Sequence, residues 1–237
     1  MIRAVLFRVL RWAALVGAAF VVLSLVLVLV MRYVPAYGSM VMLERKVEAW
    51  LSGESLPIQH QWRPWAELSD HAKLAVIAAE DQRFPDHRGF DVAEMRRAWD
   101  ASRSGARLRG ASTISQQTAK NLFLWTGRSW ARKGLEAWFT LLIETLWPKE
   151  RILEVYLNIA EWDNGVFGLE AAGQHYFGVS ASQVNEVQAS RLAAILPNPR
   201  AWDAARPGPQ TERRSQWIRQ QMRNLGGPAY LQRLGID

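Results

Sequence analysis

The segment GASTISQQTAKN, residues 110–121, decides how the middle of this chain folds. Thr113 and Gln116 have the spacing of a capping box, which predicts that a helix begins here. Thr113, Gln117 and Lys120 recur at helical intervals and form one polar stripe. A helix amino terminus followed by amides and a lysine suits an anionic group such as a phosphate. The alternative is an ordinary cap on a solvated helix face.

Helical spacing of apolar residues continues on both sides of this segment. Apolar stripes occur within residues 43–51, 74–78, 135–146 and 152–157, the last of them preceded by Pro148. A capping-box pattern at Ser180 and Gln183 predicts a helix that runs to Pro197, and residues 217–225 predict a final one. We find no convincing alternating strand pattern, so the sequence predicts an all-α fold.

The apolar run Ala75–Ala79 predicts a helix that is buried on more than one face and ends near Glu80 and Asp81, before Pro85. The helix dipole and desolvation both disfavour a charged carboxylate at the end of such a helix. A general base that works near neutrality requires this kind of setting. For a lone glutamate, the alternative is a solvated helix end.

A cationic cluster follows at Arg128, Arg132 and Lys133, close in sequence to Glu136. Arg132 and Glu136 have ordinary salt-bridge spacing, which taken alone favours a structural pair. The four histidines are scattered, so we expect no metal site built by the protein. The sequence also lacks a Gly-x-x-x-x-Gly-Lys phosphate loop and a Gly-x-Ser-x-Gly nucleophile elbow.

The composition narrows the classes of function. The 237 residues include no cysteine, which excludes a disulfide scaffold, a thiolate zinc site, an iron–sulfur cluster and a cysteine nucleophile. The net charge of +7 indicates an anionic partner, which could be nucleic acid, lipid headgroups or a phosphorylated substrate.

The amino terminus contains an uncharged apolar run from Trp12 to Met31, which is long enough to cross a bilayer. A cleaved signal peptide usually has a shorter apolar region that ends in small residues, so a retained signal anchor is favoured. Three arginines precede the run and Arg32 alone flanks its exit, which predicts a cytoplasmic amino terminus. The rest of the chain then lies outside the cytoplasm, away from nucleic acid.

Taken in chain order, these clusters resemble the peptidoglycan glycosyltransferases of family 51, specifically the monofunctional biosynthetic transglycosylases. The matching motifs lie at residues 80–91, 110–123, 132–136, 149–168, 176–178 and 196–199. One departure is Asp163, where the family more often has a glycine, and it concerns local loop conformation. The chain lacks the Ser-x-x-Lys and Lys-Thr-Gly motifs of a transpeptidase, so we expect no peptide cross-linking.

The resemblance implies a lysozyme-like helical glycosyltransferase domain preceded by one transmembrane helix. It also implies polymerisation of lipid II into β-1,4-linked glycan, with inversion and release of undecaprenyl pyrophosphate. By motif match Glu80 is the general base, and Glu136 is a second catalytic carboxylate on the donor side. The residues expected to bind substrate or pyrophosphate are Asp81, Phe84, Ser112, Gln117, Lys120, Asn121, Arg128, Arg132 and Lys133.

We therefore expect residues 1–32 to form a cytoplasmic tail and signal anchor, 33–60 a juxtamembrane segment, and 61–237 the periplasmic glycosyltransferase domain at a bacterial inner membrane. A divalent cation, Mg²⁺ or Mn²⁺, could bridge the substrate pyrophosphate. The expected partners are lipid II, the growing glycan chain and membrane lipids, with cell-division or cell-wall synthesis proteins as further candidates. Two alternatives are a lytic enzyme that cleaves peptidoglycan and a non-catalytic membrane-anchored scaffold.

Overall fold

The computed structural model describes residues 2–103 and 112–235, and the chain separates into two compact units with their boundary between Val34 and Pro35. The first unit is one helix, α1 (Ile2–Met31). Its stretch Val5–Met31 contains an 18-residue window with a mean hydropathy of 3.0 and is long and apolar enough to span a membrane. Most of its large apolar side chains are exposed, which is consistent with a single-pass membrane anchor.

The second unit is mostly helical, which confirms the predicted fold class. Its helices are α2 (Met40–Leu51), α3 (Asp70–Glu80), α4 (Val92–Arg103), α5 (Ile114–Phe123), α6 (Trp130–Leu146), α7 (Lys149–Ile159), α8 (Leu169–Phe177), α9 (Glu186–Ile195) and α10 (Pro209–Asn224). Short 3₁₀ helices lie at Trp65–Glu67, Phe84–Asp86, Ala181–Gln183 and Gly227–Arg233.

Three short strands form a small sheet that the sequence did not predict. The strands are β1 (Gln59–His60), β2 (Glu161–Asp163) and β3 (Val166–Phe167), in the order β1-β3-β2. β1 runs parallel to β3 with Gln59 opposite Val166, and β2 runs antiparallel to β3. Strands of two or three residues are too short to produce a recognisable alternation of apolar and polar residues.

Helix α3 lies at the centre of the packing. It contacts α9, α10 and the final 3₁₀ helix, whereas α5 packs against α6 and α7. Residues 72–78 of α3 are all buried, which confirms that this helix is covered on more than one face. The packing therefore places the end of α3 at Glu80 inside the fold, with α5 close to it.

The two predicted capping boxes have different outcomes. The box of Thr113 and Gln116 caps α5, as predicted. The box of Ser180 and Gln183 caps only the 3₁₀ helix Ala181–Gln183, and α9 begins later at Glu186. The predicted helix start was wrong because Val184 is extended and its carbonyl accepts a hydrogen bond from Ser69 Oγ. A separate box at Asn185 and Gln188 caps α9.

Candidate active site

Glu80 is the last residue of α3, and its side chain is 16% exposed. Gln117 Nε2 of α5 donates to Glu80 Oε2 at 3.0 Å. Arg214 Nη2 of α10 donates to Glu80 Oε1 at 3.2 Å. Three helices thus fix a carboxylate that still reaches solvent and can accept a proton.

Tyr156 of α7 sets the orientation of the Gln117 amide. Its hydroxyl donates to Gln117 Oε1 at 3.1 Å, which leaves Gln117 Nε2 to donate to Glu80. Burial raises the pKa of the Tyr156 hydroxyl well above its usual value, and the negative charge of Glu80 raises it further. The hydroxyl therefore stays protonated and remains a donor.

Asp81 links the end of α3 to the beginning of α5. Its Oδ2 accepts a hydrogen bond from the Ile114 backbone N–H at 3.0 Å, and its Oδ1 lies 2.9 Å from His87 Nε2. Phe84 is completely buried, and Lys149 Nζ lies 4.4 Å from the centre of its ring. These contacts are internal and position Glu80 against α5, whereas the substrate contacts expected of Asp81 and Phe84 stay predictions.

The loop after Glu80 is also tied to the amino terminus of α5 through Gly89. Thr113 Oγ1 donates to the Gly89 carbonyl at 2.6 Å. Gly89 has a φ of +84°, and a Cβ atom at this position would lie 2.7 Å from Thr140 Cγ2. Any larger residue would therefore be strained and would clash with α6.

The predicted cationic cluster assembles around Glu136 on α6. Glu136 is 3% exposed and forms ion pairs with both Arg132 and Lys133, and its Oε2 lies 2.7 Å from Arg132 Nη1. This confirms the predicted Arg132–Glu136 pair. Arg132 Nε also donates to the Gly127 carbonyl at 2.6 Å. The cluster lines an open cavity with Arg128, Ser129 and Trp130.

Lys120 of α5 lies within the electrostatic field of this cluster. Burial lowers the pKa of its ammonium; the negative charge of Glu136 partly opposes this, whereas Arg132 and Lys133 lower it further. Within residues 2–103 and 112–235, the Lys120 ammonium forms no hydrogen bond or ion pair. A half-buried cation without a fixed counter-ion is suited to an incoming anion.

Ser112 and Asn121 are half-buried at the two ends of the same region. Ser112 precedes the Thr113 cap, and Asn121 lies in the last turn of α5. Gln117 and Lys120 lie about one turn apart on this helix, roughly 4.5 Å along its axis. One helix therefore contributes both to the Glu80 contact and to the cationic cluster.

Two residues of this region were missed by the sequence reasoning. Arg214 belongs to an arginine-rich helix in which no spacing distinguishes it. Glu44 of α2 lies opposite the loop before Arg128, and its two carboxylate oxygens accept hydrogen bonds from Thr126 N and Thr126 Oγ1, both at 2.8 Å. Each contact joins residues far apart in sequence, so periodicity alone gave no signal.

A second cleft adjoins the segment after Glu80, on the side of α4. Its polar lining is of mixed charge, with one more arginine than aspartate, and consists of Arg83, His87, Asp91, Arg96, Arg97 and Asp100. Arg83 is paired with Asp91, at 3.1 Å between Nη1 and Oδ1. The net positive charge suits an extended anionic or polar ligand at this end of the site.

Comparisons with a family model and with individual proteins agree on the same family. The sequence model of the Transglycosylase family matches residues 50–223. A biosynthetic peptidoglycan transglycosylase from Chromohalobacter salexigens is 71% identical over 96% of this chain and 97% of its own length. Proteins with the same name from Ectopseudomonas mendocina and Pseudomonas aeruginosa are 58% and 56% identical, each over 97% of this chain and over 92% and 96% of their own lengths.

Proposed function

We propose that this chain, which belongs to the transglycosylase family of peptidoglycan glycosyltransferases, polymerises lipid II into β-1,4-linked glycan strands without cross-linking peptides. The observation that carries the proposal is the double role of α5. Its Gln117 contacts the Glu80 carboxylate, and its Lys120 lies in the cationic cluster about one turn later. A proton acceptor next to a site for an anionic leaving group is what this transfer requires.

In the proposed reaction, Glu80 removes the proton from the 4-hydroxyl of the acceptor N-acetylglucosamine. The oxygen attacks C1 of the donor sugar as the bond from C1 to the pyrophosphate oxygen breaks. The electron pair leaves with undecaprenyl pyrophosphate, and the anomeric centre inverts. Gln117 and Arg214 fix the orientation of the Glu80 carboxylate, so little reorganisation is needed at the moment of transfer.

The leaving pyrophosphate is a stable anion and needs positive charge more than a proton donor. Lys120, Arg128, Arg132 and Lys133 supply that charge in the proposal. Glu136 orients two of these cations through its ion pairs with Arg132 and Lys133. Ser112, Gln117 and Asn121 orient the substrate in this proposal. Asp81 and Phe84 belong to the same proposed binding site. A divalent cation, Mg²⁺ or Mn²⁺, carried by the substrate would add positive charge at the pyrophosphate.

The apolar helix Val5–Met31 supports a single-pass anchor with a cytoplasmic amino terminus and a periplasmic catalytic domain. This placement gives the site access to a lipid-linked substrate in the bilayer. The growing glycan chain and membrane lipids are the remaining proposed partners, together with proteins of cell division or cell-wall synthesis.

The test is incubation of the purified full chain with labelled lipid II and, separately, with isolated sacculi. We expect long glycan chains from lipid II in the wild type, and loss of product with retained helical content in Glu80→Gln. Glu54→Gln is a matched control because Glu54 is exposed and its carboxylate forms no hydrogen bond or ion pair within the described residues.

Other products would contradict the proposal in distinct ways. Muropeptides released from sacculi would indicate a lytic enzyme, whereas no product from either substrate would indicate a scaffold. Polymerisation by Glu80→Gln at the wild-type rate would eliminate Glu80 as the base.

A further inference from the structure

The carboxyl-terminal segment folds back onto α3 after α10 ends at Asn224. Gly226 and Gly227 have φ values of +98° and +68°, and this left-handed turn redirects the chain into the 3₁₀ helix Gly227–Arg233. The segment packs against α3, and Tyr230, Leu231 and Leu234 are buried. It lies beyond residue 223, where the match to the family ends.

Two side chains of this segment contact the loop that follows Glu80. The Tyr230 hydroxyl donates to the Gln82 carbonyl at 2.7 Å. Arg233 Nη2 lies 2.6 Å from Asp86 Oδ1, and the Arg233 guanidinium lies 5.0 Å from the centre of the Tyr230 ring. The two contacts therefore fix both ends of residues 82–86, a loop that begins two residues after Glu80.

We infer that Tyr230 and Arg233 are positioning residues for Glu80, an inference that rests on the proposed function. The helix ends at Glu80, and Asp81 already has non-helical backbone angles. The direction of the Glu80 side chain therefore depends on how firmly the next residues are fixed. Asp81 anchors this loop to α5 through Ile114, and the carboxyl-terminal segment supplies a second anchor.

The chemistry of both contacts suits a permanent anchor. Burial raises the pKa of Tyr230, so the hydroxyl remains a donor to the Gln82 carbonyl. The Arg233 guanidinium is attracted both to the Asp86 carboxylate and to the face of the Tyr230 ring. Removal of both groups loosens the loop and leaves the ion pairs of Glu136 with Arg132 and Lys133 in place.

The test compares the double variant Tyr230→Phe/Arg233→Gln with the wild type in the lipid II assay, together with amide hydrogen exchange of residues 82–86. We expect faster exchange in this loop and a fall in kcat of about tenfold or more, because small misplacement of a catalytic group is costly. The KM for lipid II should stay within about twofold, since the cationic cluster is unchanged. The single variant Arg233→Lys keeps the positive charge opposite Asp86 and should retain most of the kcat that the double variant loses.

Gln232→Ala is the matched control, because Gln232 is exposed in the same 3₁₀ helix and its side chain forms no hydrogen bond within the described residues. A kcat of the double variant equal to that of the control would overturn the inference. A loss of kcat explained fully by the unfolded fraction, measured by thermal denaturation, would also overturn it. Amide hydrogen exchange is measured without substrate. Unchanged exchange in residues 82–86 of the double variant would eliminate the positioning role. A wild type that fails to polymerise lipid II would refute the proposed function alone.

Discussion

Arg214 Nη2 lies 3.2 Å from Glu80 Oε1, although the two residues are 134 positions apart in the sequence. The contact exists because α10 packs across both α3 and α9. The guanidinium donates a charge-assisted hydrogen bond to the carboxylate. Together with Gln117, it determines where the Glu80 oxygens point.

The first prediction concerns Arg214→Ala. Removing the guanidinium leaves Gln117 as the side-chain hydrogen-bond donor to Glu80 among the described residues, so the carboxylate is less firmly oriented. We expect kcat for lipid II polymerisation to fall about 10–100-fold, as for other losses of catalytic orientation. Steady-state kinetics on the purified chain measures the effect.

The adjacent substitution Arg213→Ala is the control for this prediction. Arg213 is exposed, and its side chain forms no hydrogen bond or ion pair within residues 2–103 and 112–235. If Arg214→Ala and Arg213→Ala have the same kcat, the Arg214–Glu80 contact has no part in turnover.

A second prediction follows from the lowered pKa of Lys120. Because burial disfavours its ammonium, folding is penalised at every pH where Lys120 is charged in both states. Lys120→Met removes that penalty, so we expect a higher melting temperature together with the loss of polymerisation. The gain in stability from Lys120→Met is complete at pH values below the folded-state pKa of Lys120. It disappears as the pH rises from there to the ordinary pKa of a lysine in the unfolded chain. A relief of about 1 kcal/mol corresponds to roughly 2–4 °C.

Lys133→Met provides the contrast for Lys120→Met. Lys133 forms an ion pair with the buried carboxylate of Glu136, so its removal should lower the melting temperature. Thermal denaturation at neutral pH measures both variants. A melting temperature for Lys120→Met below that of the wild type would contradict the account of Lys120 as a buried cation without a fixed counter-ion.

A third prediction concerns Glu44 on α2. Its two hydrogen bonds to Thr126 secure the loop that leads to Arg128 and to the Ser129 cap of α6. Glu44→Ala should loosen this loop and raise the KM for lipid II about five- to tenfold, which corresponds to roughly 1–1.4 kcal/mol, the net contribution of about one hydrogen bond. Lys46→Ala on the same helix is the control, since Lys46 is exposed. An unchanged KM for Glu44→Ala would show that the contact of α2 with Thr126 has no influence on substrate binding.

How much of this site could be predicted depends on the range of the interaction. The cap of α5 and the Arg132–Glu136 pair are local, and residues three or four apart predicted them correctly. The contacts of Glu80 with Arg214 and of Glu44 with Thr126 depend on helix packing, which no local pattern encodes. Asp163 also departs from the family glycine without strain, because its φ is not positive and its Oδ2 lies 3.0 Å from His175 Nε2.

The last prediction concerns Tyr156→Phe, which keeps the buried ring and removes only the hydroxyl. Without that donor, Gln117 Oε1 loses its partner, and the amide is held only at Nε2 through its hydrogen bond to Glu80, so its position is less firmly fixed. We expect kcat to fall about tenfold with little change in KM, and the free energy of unfolding to fall by about 1–3 kcal/mol for the unsatisfied amide. Kinetics and denaturant unfolding measure the two effects, with Tyr37→Phe as a control because Tyr37 is 75% exposed. The double variant Gln117→Ala/Tyr156→Phe should have nearly the same kcat as Gln117→Ala, because the tyrosine acts through the amide. A further tenfold loss of kcat in the double variant would contradict the chain of contacts from Tyr156 through Gln117 to Glu80.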